Sequence, residues 1–382
     1  MTLRSLLWVS ALLAPAIAGA GTVATAPVTT ATKEESNFDK IWGLATWYDN
    51  KENPVIQKFS FTGRAQIDLF HVDNAFGDKD DWNFRRLRLG AKAKMFNNFT
   101  VHGEIDANGN DDGGEFYQKL TDAYIMWEAD PMFKLTLGKH GMPFTLDGAT
   151  SSKELITIDR SNVANNMWFT EEYLPGVSVS GDNKTWNYRL GVFSNGTANK
   201  EFGDFDATFT VLASIGHTFK DTLGAEKLDL RADYVYQDPT DAATTTFTRK
   251  LENIGALVAN WENGPFAIAT GITAATGYGS QSDLFGFDIM PSFYIIEDKL
   301  QAVARYSFLS SADANGVRYA RYDTETTSAR GDQYQDIYAG LNYYIYGNKL
   351  KVQGGVQYSM MDGTSAGDAD GWQAVLGLRL AW

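Results

Sequence analysis

The 382-residue chain contains no cysteine. Disulfides, thiolate metal sites and cysteine nucleophiles are therefore excluded. Histidine is scarce, with only His71, His102, His140 and His217. None of them falls in an HExxH or beside a GxSxG elbow, and no phosphate-cradling glycine loop or metal triad accompanies them, so hydrolytic and metal chemistry lack their usual residues. Basic residues are outnumbered, 33 against 47 acidic, for a net charge of -14. That balance argues against a nucleic-acid partner, whose affinity needs clustered Lys and Arg. Long apolar runs are missing too: no stretch approaches the roughly 20 residues a spanning helix requires. Proline is rare, at 9 residues.

The N-terminus reads as an export signal. Met1 to Ala20 has Arg4 in a short positive region, an apolar core from Leu6 to Ala14 and the small residues Ala18-Gly19-Ala20 at a cleavage site. Residues 21–56 read as a periplasmic leader. Gly21 to Lys33 is rich in Thr and Ala, and Phe38 to Tyr48 is aromatic enough to tuck, as a short helix or an extended segment, against a barrel mouth.

Glycine (36), Tyr (18), Phe (23) and Trp (10) are what the chain has in quantity, a composition suited to turns and aromatic girdles in an all-β protein. Mean hydropathy is -0.28, as expected where each strand is half apolar. In the final segment every second residue (Trp372, Ala374, Leu376, Leu378, Leu380, Trp382) is apolar, and only Val375 breaks the polar or small set between them. Period two with aromatic ends suits one tilted bilayer crossing by a barrel strand. Ending on an aromatic, the segment resembles the C-terminal strand of bacterial outer-membrane barrels.

From residue 57 onward the pattern repeats. Strands are expected at 57–70, 82–96, 98–108, 117–129, 132–140, 175–182, 185–195, 205–219, 225–238, 249–262, 264–277, 283–297, 299–310, 333–346, 349–361 and 371–382. Tight turns around Asn97, Pro131, Asn183-Lys184, Gly224, Asn263, Asp298 and Gly347-Asn348 alternate with longer polar connections at 71–81, 109–116, 141–174, 196–204, 239–248, 278–282, 311–332 and 362–370. This alternation predicts a sixteen-stranded antiparallel transmembrane β-barrel over 57–382, with both ends on the periplasmic side. In Leu228 to Tyr236 the charged set Asp229, Arg231 and Asp233 must face the lumen, since a charge facing lipid at mid-depth costs about 2–4 kcal/mol. That implies a wet lumen and not a packed core.

Three stretches resemble the phosphate-selective porin O/P family. They are Asn53-Pro54-Val55-Ile56-Gln57 leading to Gly63-Arg64-Ala65-Gln66, Asp80-Asp81-Trp82-Asn83-Phe84-Arg85-Arg86-Leu87-Arg88-Leu89-Gly90, and Asp122-Ala123-Tyr124-Ile125-Met126-Trp127 followed by Leu137-Gly138-Lys139 and Ile158-Asp159-Arg160-Ser161. The resemblance runs from about residue 50 to the C-terminus and is clearest in the first third. It implies a trimeric outer-membrane porin that passes phosphate or other anions, and it makes 141–174 the third external loop, folded inward to constrict the lumen.

Within that loop Lys153 and Arg160 could face a permeant anion, opposed by Glu154, Asp159, Glu171 and Glu172. On the second strand Arg86, Arg88, Lys92 and Lys94 share one face, and with Arg64 and Lys134 they form an expected lumenal basic ladder attracting anions. A rival arrangement is a transverse field, with His102, Glu104, Asp106, Asp122 and Glu128 as the acidic wall, which orients dipolar solutes. The outer loops are acidic (Asp78, Asp80, Asp81, Asp111, Asp112, Glu115, Asp204, Asp238, Asp323, Glu325, Asp368, Asp370), a sign that suits cation bridges to lipopolysaccharide better than a phosphate funnel. Residues 106–115 carry calcium-like oxygen spacing without the helix–loop–helix pattern, so they read as a solvated loop. The expectation is a passive porin for small hydrophilic solutes or anions, seated in outer-membrane lipid as a homotrimer, without cofactor, bound metal or nucleic acid. A non-selective general porin is the alternative, and an outer-membrane hydrolase or adhesin barrel the more distant one.

Overall fold

A computed structural model describes residues 35–168, 173–194, 201–202, 209–239, 249–364 and 368–382. The export signal, the leader as far as Lys33, and Glu171, Glu172 and Asp204 lie outside the described residues. Sixteen long strands alternate along the chain: β1 (Ile56–Asn74), β2 (Gly77–Met95), β3 (Phe99–Ala107), β4 (Tyr117–Asp130), β5 (Phe133–Gly141), β6 (Tyr173–Asp182), β7 (Trp186–Ser194), β8 (Phe209–Thr222), β9 (Ala225–Gln237), β10 (Leu251–Asn263), β11 (Phe266–Gly277), β12 (Leu284–Ile296), β13 (Leu300–Ser311), β14 (Gln333–Tyr346), β15 (Leu350–Asp362) and β16 (Ala369–Ala381). Each pairs antiparallel with its sequence neighbours, and β16 returns to β1 with Arg379 opposite Gln66 and Leu376 opposite Leu69. The barrel is closed, so it presents no open sheet edge to lipid.

The outer wall follows from the period-two pattern. Leu69, Leu137, Leu190, Ile215, Leu257, Ile272, Ile337, Leu341, Leu376 and Leu378 all stand exposed on it, ringed by aromatics such as Trp82, Trp186, Phe266 and Trp372. Among the described residues no helix is long and apolar enough to cross a membrane, so the crossings are made by strands. At one end the links are two or three residues long, and the left-handed conformation their geometry demands falls on Asn97, Lys184, Gly224, Gly264, Asp298 and Gly347. Helix α1 (Asn37–Gly43), opened by a Ser36–Asp39 capping box, packs at that end. There the Trp42 indole donates to the Ala381 carbonyl (2.6 Å), and Phe38 stacks on Tyr346. A short strand, Thr46–Asp49, then adds to the foot of β1.

Two expectations need correction. The connection at 71–81 is not a loop: β1 and β2 continue as a paired hairpin joined by residues 75–76 alone, with His71 opposite Asp80 and Asp73 opposite Asp78. The ladder persists because its inner face is apolar. Phe70 and Val72 are buried there, and the Phe70 ring lies against Tyr322 of the loop that follows β13. The lumen is also not uniformly wet. Met142, Phe144, Val163, Met167 and Trp168 pack against inward residues Leu251, Ile254, Leu284, Leu309 and Tyr334. Leu146 and Ile158 do the same against Val258, Met290, Val303, Tyr338 and Val375. Val375 breaks the C-terminal alternation because its side of the lumen is packed with hydrocarbon, where burying an apolar side chain contributes about 1.5–3 kcal/mol.

Candidate functional site

The segment between β5 and β6 enters the barrel and is fastened across it. Its helices α2 (Leu146–Ala149) and α3 (Asn162–Met167) are short, and N-caps Thr145 and Ser161 accept from Gly148 N (3.2 Å) and Ala164 N (3.2 Å). Between them, backbone carbonyls accept from the far wall one after another. Lys351 Nζ (2.8 Å) and Gln353 Nε2 (2.9 Å) donate to Leu155, Asn342 Nδ2 to Ile156 (2.8 Å), Arg379 Nη2 to Ile158 (3.1 Å) and Arg305 Nη1 to Asp159 (3.1 Å). Without these donors the carbonyls of Leu155, Ile156 and Ile158 would lack a partner among the described residues, since an extended loop offers them no ladder, while the Asp159 carbonyl also accepts from Thr157 Oγ1 (2.9 Å). On the near wall Arg64 donates to Ser152 Oγ (2.5 Å) and Gln66 Nε2 to the Ser152 carbonyl (2.8 Å).

What stays open lies on the β4–β9 side. Two cavities, about 540 and 270 Å³, adjoin there and share Asp122, Gly141, Pro143, Ala149 and Arg189 as lining. Arg64, Arg160, Trp168 and Tyr173 also line the smaller. Lys134, Tyr124, Tyr188 and Arg231 belong to the larger.

The basic residues singled out by sequence fall into three groups. Arg64 and Arg88 are buried and share Glu104 at 3.6 and 3.8 Å, while Arg88 Nε also lies 3.6 Å from Asp106 and its guanidinium covers the Tyr173 ring. Arg86 donates to Gln66 Oε1 (2.9 Å). Arg160, inside the loop, donates to the carbonyls of Asp147 (2.9 Å) and Thr150 (3.1 Å) and stacks on Trp168, so it shapes the constriction. Lys92, Lys94 and Lys134 are the water-accessible set. Among the described residues no carboxylate comes within 4 Å of Lys92 or Lys94, whereas Lys134 meets Glu128 at 3.4 Å. Lys153 reaches the Trp382 carbonyl at 3.4 Å.

Sequence reading missed two arginines. Arg85 should face lipid by parity, but a bulge sets Gln66 opposite Arg86 and Ile67 opposite Phe84. Arg85 therefore turns inward as well and meets Asp159 at 3.1 Å. Burial opposes ionisation of Asp159, yet the guanidiniums of Arg85, Arg321, Arg86 and Arg160 hold its carboxyl below the usual carboxylate range. Arg189 could have been found, since Leu190 and Val192 beside it are plainly lipid-facing. It makes no hydrogen bond and no ion pair among the described residues, although it lines both cavities.

The sequence profile of a family described as phosphate-selective porin O and P matches residues 59–260. An uncharacterised protein of Aquifex aeolicus (strain VF5) is 30% identical over 113 residues, which are 25% of this chain and 27% of that protein. Three solved structures share the fold at low identity. OmpT of Vibrio cholerae in its trimer form is 12% identical, with 85% of this chain and 99% of that one covered at a TM-score of 0.54. The outer membrane channel DcaP of Acinetobacter baumannii is 13% identical (85% and 97% covered, TM-score 0.55). OprB of Pseudomonas putida is 12% identical (85% and 94% covered, TM-score 0.59).

Proposed function

This chain belongs to the phosphate-selective porin O and P family and is a porin of the bacterial outer membrane, and on that footing we propose that its pore passes small hydrophilic solutes by diffusion with a bias toward anions. One observation carries the bias: Arg189 stands in both cavities without a carboxylate partner among the described residues. An unpaired guanidinium in a narrow, low-dielectric passage attracts anions far more than the same charge in bulk water. Lys92 and Lys94 add accessible positive charge on β2, which supports the same reading. Arg64, Arg86, Arg88, Lys134, Lys153 and Arg160 set the shape and background field of the passage. Phosphate is one candidate anion among several.

We read the protein as a channel and not a hydrolase. His140 Nε2 does lie 2.8 Å from Ser178 Oγ, but its Nδ1 faces the Gly138 carbonyl and among the described residues no carboxylate orients the ring. Ser178 sits within a β-ladder on both sides, opposite Thr136 and Gly191, so its backbone offers no oxyanion hole. A homotrimer is our reading of the assembly, supported by the trimer form of the OmpT fold relative, and unheated gel mobility with light scattering would test it.

The decisive measurement is the reversal potential of the purified protein in a planar bilayer under a KCl gradient, with phosphate added as a competitor of chloride current. We expect a potential on the anion side. A cation-side potential would remove the proposed bias.

A further inference from the structure

We propose that the passage is matched to zwitterions: small solutes carrying an ammonium and a carboxylate on one skeleton, such as α-amino acids. The charges around the two cavities are mostly neutralised locally. Arg64 and Arg88 share Glu104, Arg231 holds Asp233 at 2.9 Å, and Lys134 meets Glu128 at 3.4 Å. Among the described residues, two other charged lining side chains are left without a hydrogen bond, of opposite sign and on different strands. Arg189, on β7, has no polar partner among the described residues. Asp122, on β4, has among the described residues only the His102 ring nitrogen at 3.7 Å and accepts no hydrogen bond from them. Both border the larger and the smaller cavity alike.

The smaller cavity, about 270 Å³, holds the volume of roughly nine waters at ~30 Å³ each, room for an amino acid with part of its hydration shell. Its remaining lining includes Pro143, Ala149, Trp168 and Tyr173, an apolar and aromatic surface for a small side chain. A neutral solute of that size gains nothing from the two charges. A monoanion is drawn by Arg189 and repelled by Asp122. A zwitterion satisfies both at once, turning its dipole across the passage, and replaces the water it sheds with fixed charges. This inference goes beyond an anion bias. It shares Arg189 with that reading but depends equally on Asp122.

The test is solute-driven swelling of liposomes containing the full chain, at about pH 8. Alanine is compared with lactamide, its uncharged analogue, and arabinose serves as a size control. Alanine should enter about threefold to tenfold faster than lactamide, the scale expected for one charge contact at each end in a partly screened site. With each rate divided by that of arabinose in the same liposomes, Arg189→Gln and Asp122→Asn should each bring the alanine-to-lactamide ratio near one. Exchanging the charges, Asp122→Arg with Arg189→Asp, should restore the alanine advantage, which a merely structural role for either residue would not do. In reversal-potential measurements Asp122→Asn should raise anion preference, whereas Arg189→Gln should lower it. Equal native rates for alanine and lactamide would overturn the proposal, even beside an anion-side potential that left the ion bias standing. Unchanged ratios in both single variants would overturn it as well.

Discussion

Replacing Arg305 tests how the constriction is held. Its side chain is 4% exposed and sits 3.4 Å from Asp336, itself fully buried, while donating to the Asp159 carbonyl at 3.1 Å and to Gln357 Oε1 at 2.9 Å. Arg305→Met leaves Asp336 charged and alone in a dry half of the lumen, and removing one member of a buried pair costs about 3–5 kcal/mol. Adding Asp336→Asn removes the stranded charge. The double variant then lacks chiefly the charged hydrogen bond to the loop, about 1.5–3 kcal/mol. Urea titration in detergent micelles, followed by the gel mobility of unheated samples, reads this difference. The single variant should unfold at distinctly lower urea and the double should recover part of the loss. Both should show noisier open-channel current, because each removes the wall's hydrogen bond to the Asp159 carbonyl. A double variant as unstable as the single would refute the stranded-charge reasoning, and native current noise in both would refute the anchoring role.

Other outcomes follow from neighbouring features. A Cβ at Gly355 would overlap the Tyr338 hydroxyl that accepts from Ile158 N, whereas one at Gly354 meets only Leu376 Cδ1 at 3.6 Å. Gly355→Ala should therefore lower the urea midpoint and raise current noise, and Gly354→Ala should leave both native. Lys92→Glu changes two charge units in a water-filled part of the lumen. At ~8 Å from the permeant in water that is about 1 kcal/mol against an anion and as much in favour of a cation, so the anion-to-cation permeability ratio should fall roughly 30-fold in bilayer recordings without loss of folding. Arg88→Glu would instead gather three carboxylates with Glu104 and Asp106, and its folded yield in micelles should drop. Burial, with Asp336 nearby, pushes the Asp323 carboxyl up to about 7 in the loop after β13. A raised carboxyl favours the docked loop in its protonated form, so docking should weaken as pH rises from about 4 to 7 and level off above. Hydrogen exchange over residues 317–330 should rise across that window, and Asp323→Asn should flatten the response.

The barrel was legible because each strand is a local object. Leu228 to Tyr236 or Trp372 to Trp382 declares its two faces without reference to any partner, and the short turns declare their positive backbone angles through Asn, Asp and Gly. Parity along the chain then carried the strand number and placed Arg379, Asp233 and the β2 basics in the lumen. The hairpin at 71–81 was misread because its outward charges look like a loop, while its inward Phe70 and Val72 find their partner, Tyr322, some 250 residues away. Arg85 was lost to a one-residue bulge, which no periodicity reveals in advance.

By itself, then, the sequence determined the architecture: sixteen amphipathic strands, their topology, and which face of each meets lipid, since a two-residue period and bilayer solvation act on every strand separately. Only the tertiary structure decided which part of the lumen is open. The loop between β5 and β6 could have crossed the barrel in many ways, and the carbonyls of Leu155, Ile156, Ile158 and Asp159 are fixed by donors from four distant strands. That contact set fills one side with hydrocarbon and neutralises most lumenal charges in place. It leaves Asp122 and Arg189 on the open side because pairing depends on three-dimensional reach, which residue spacing along the chain does not encode.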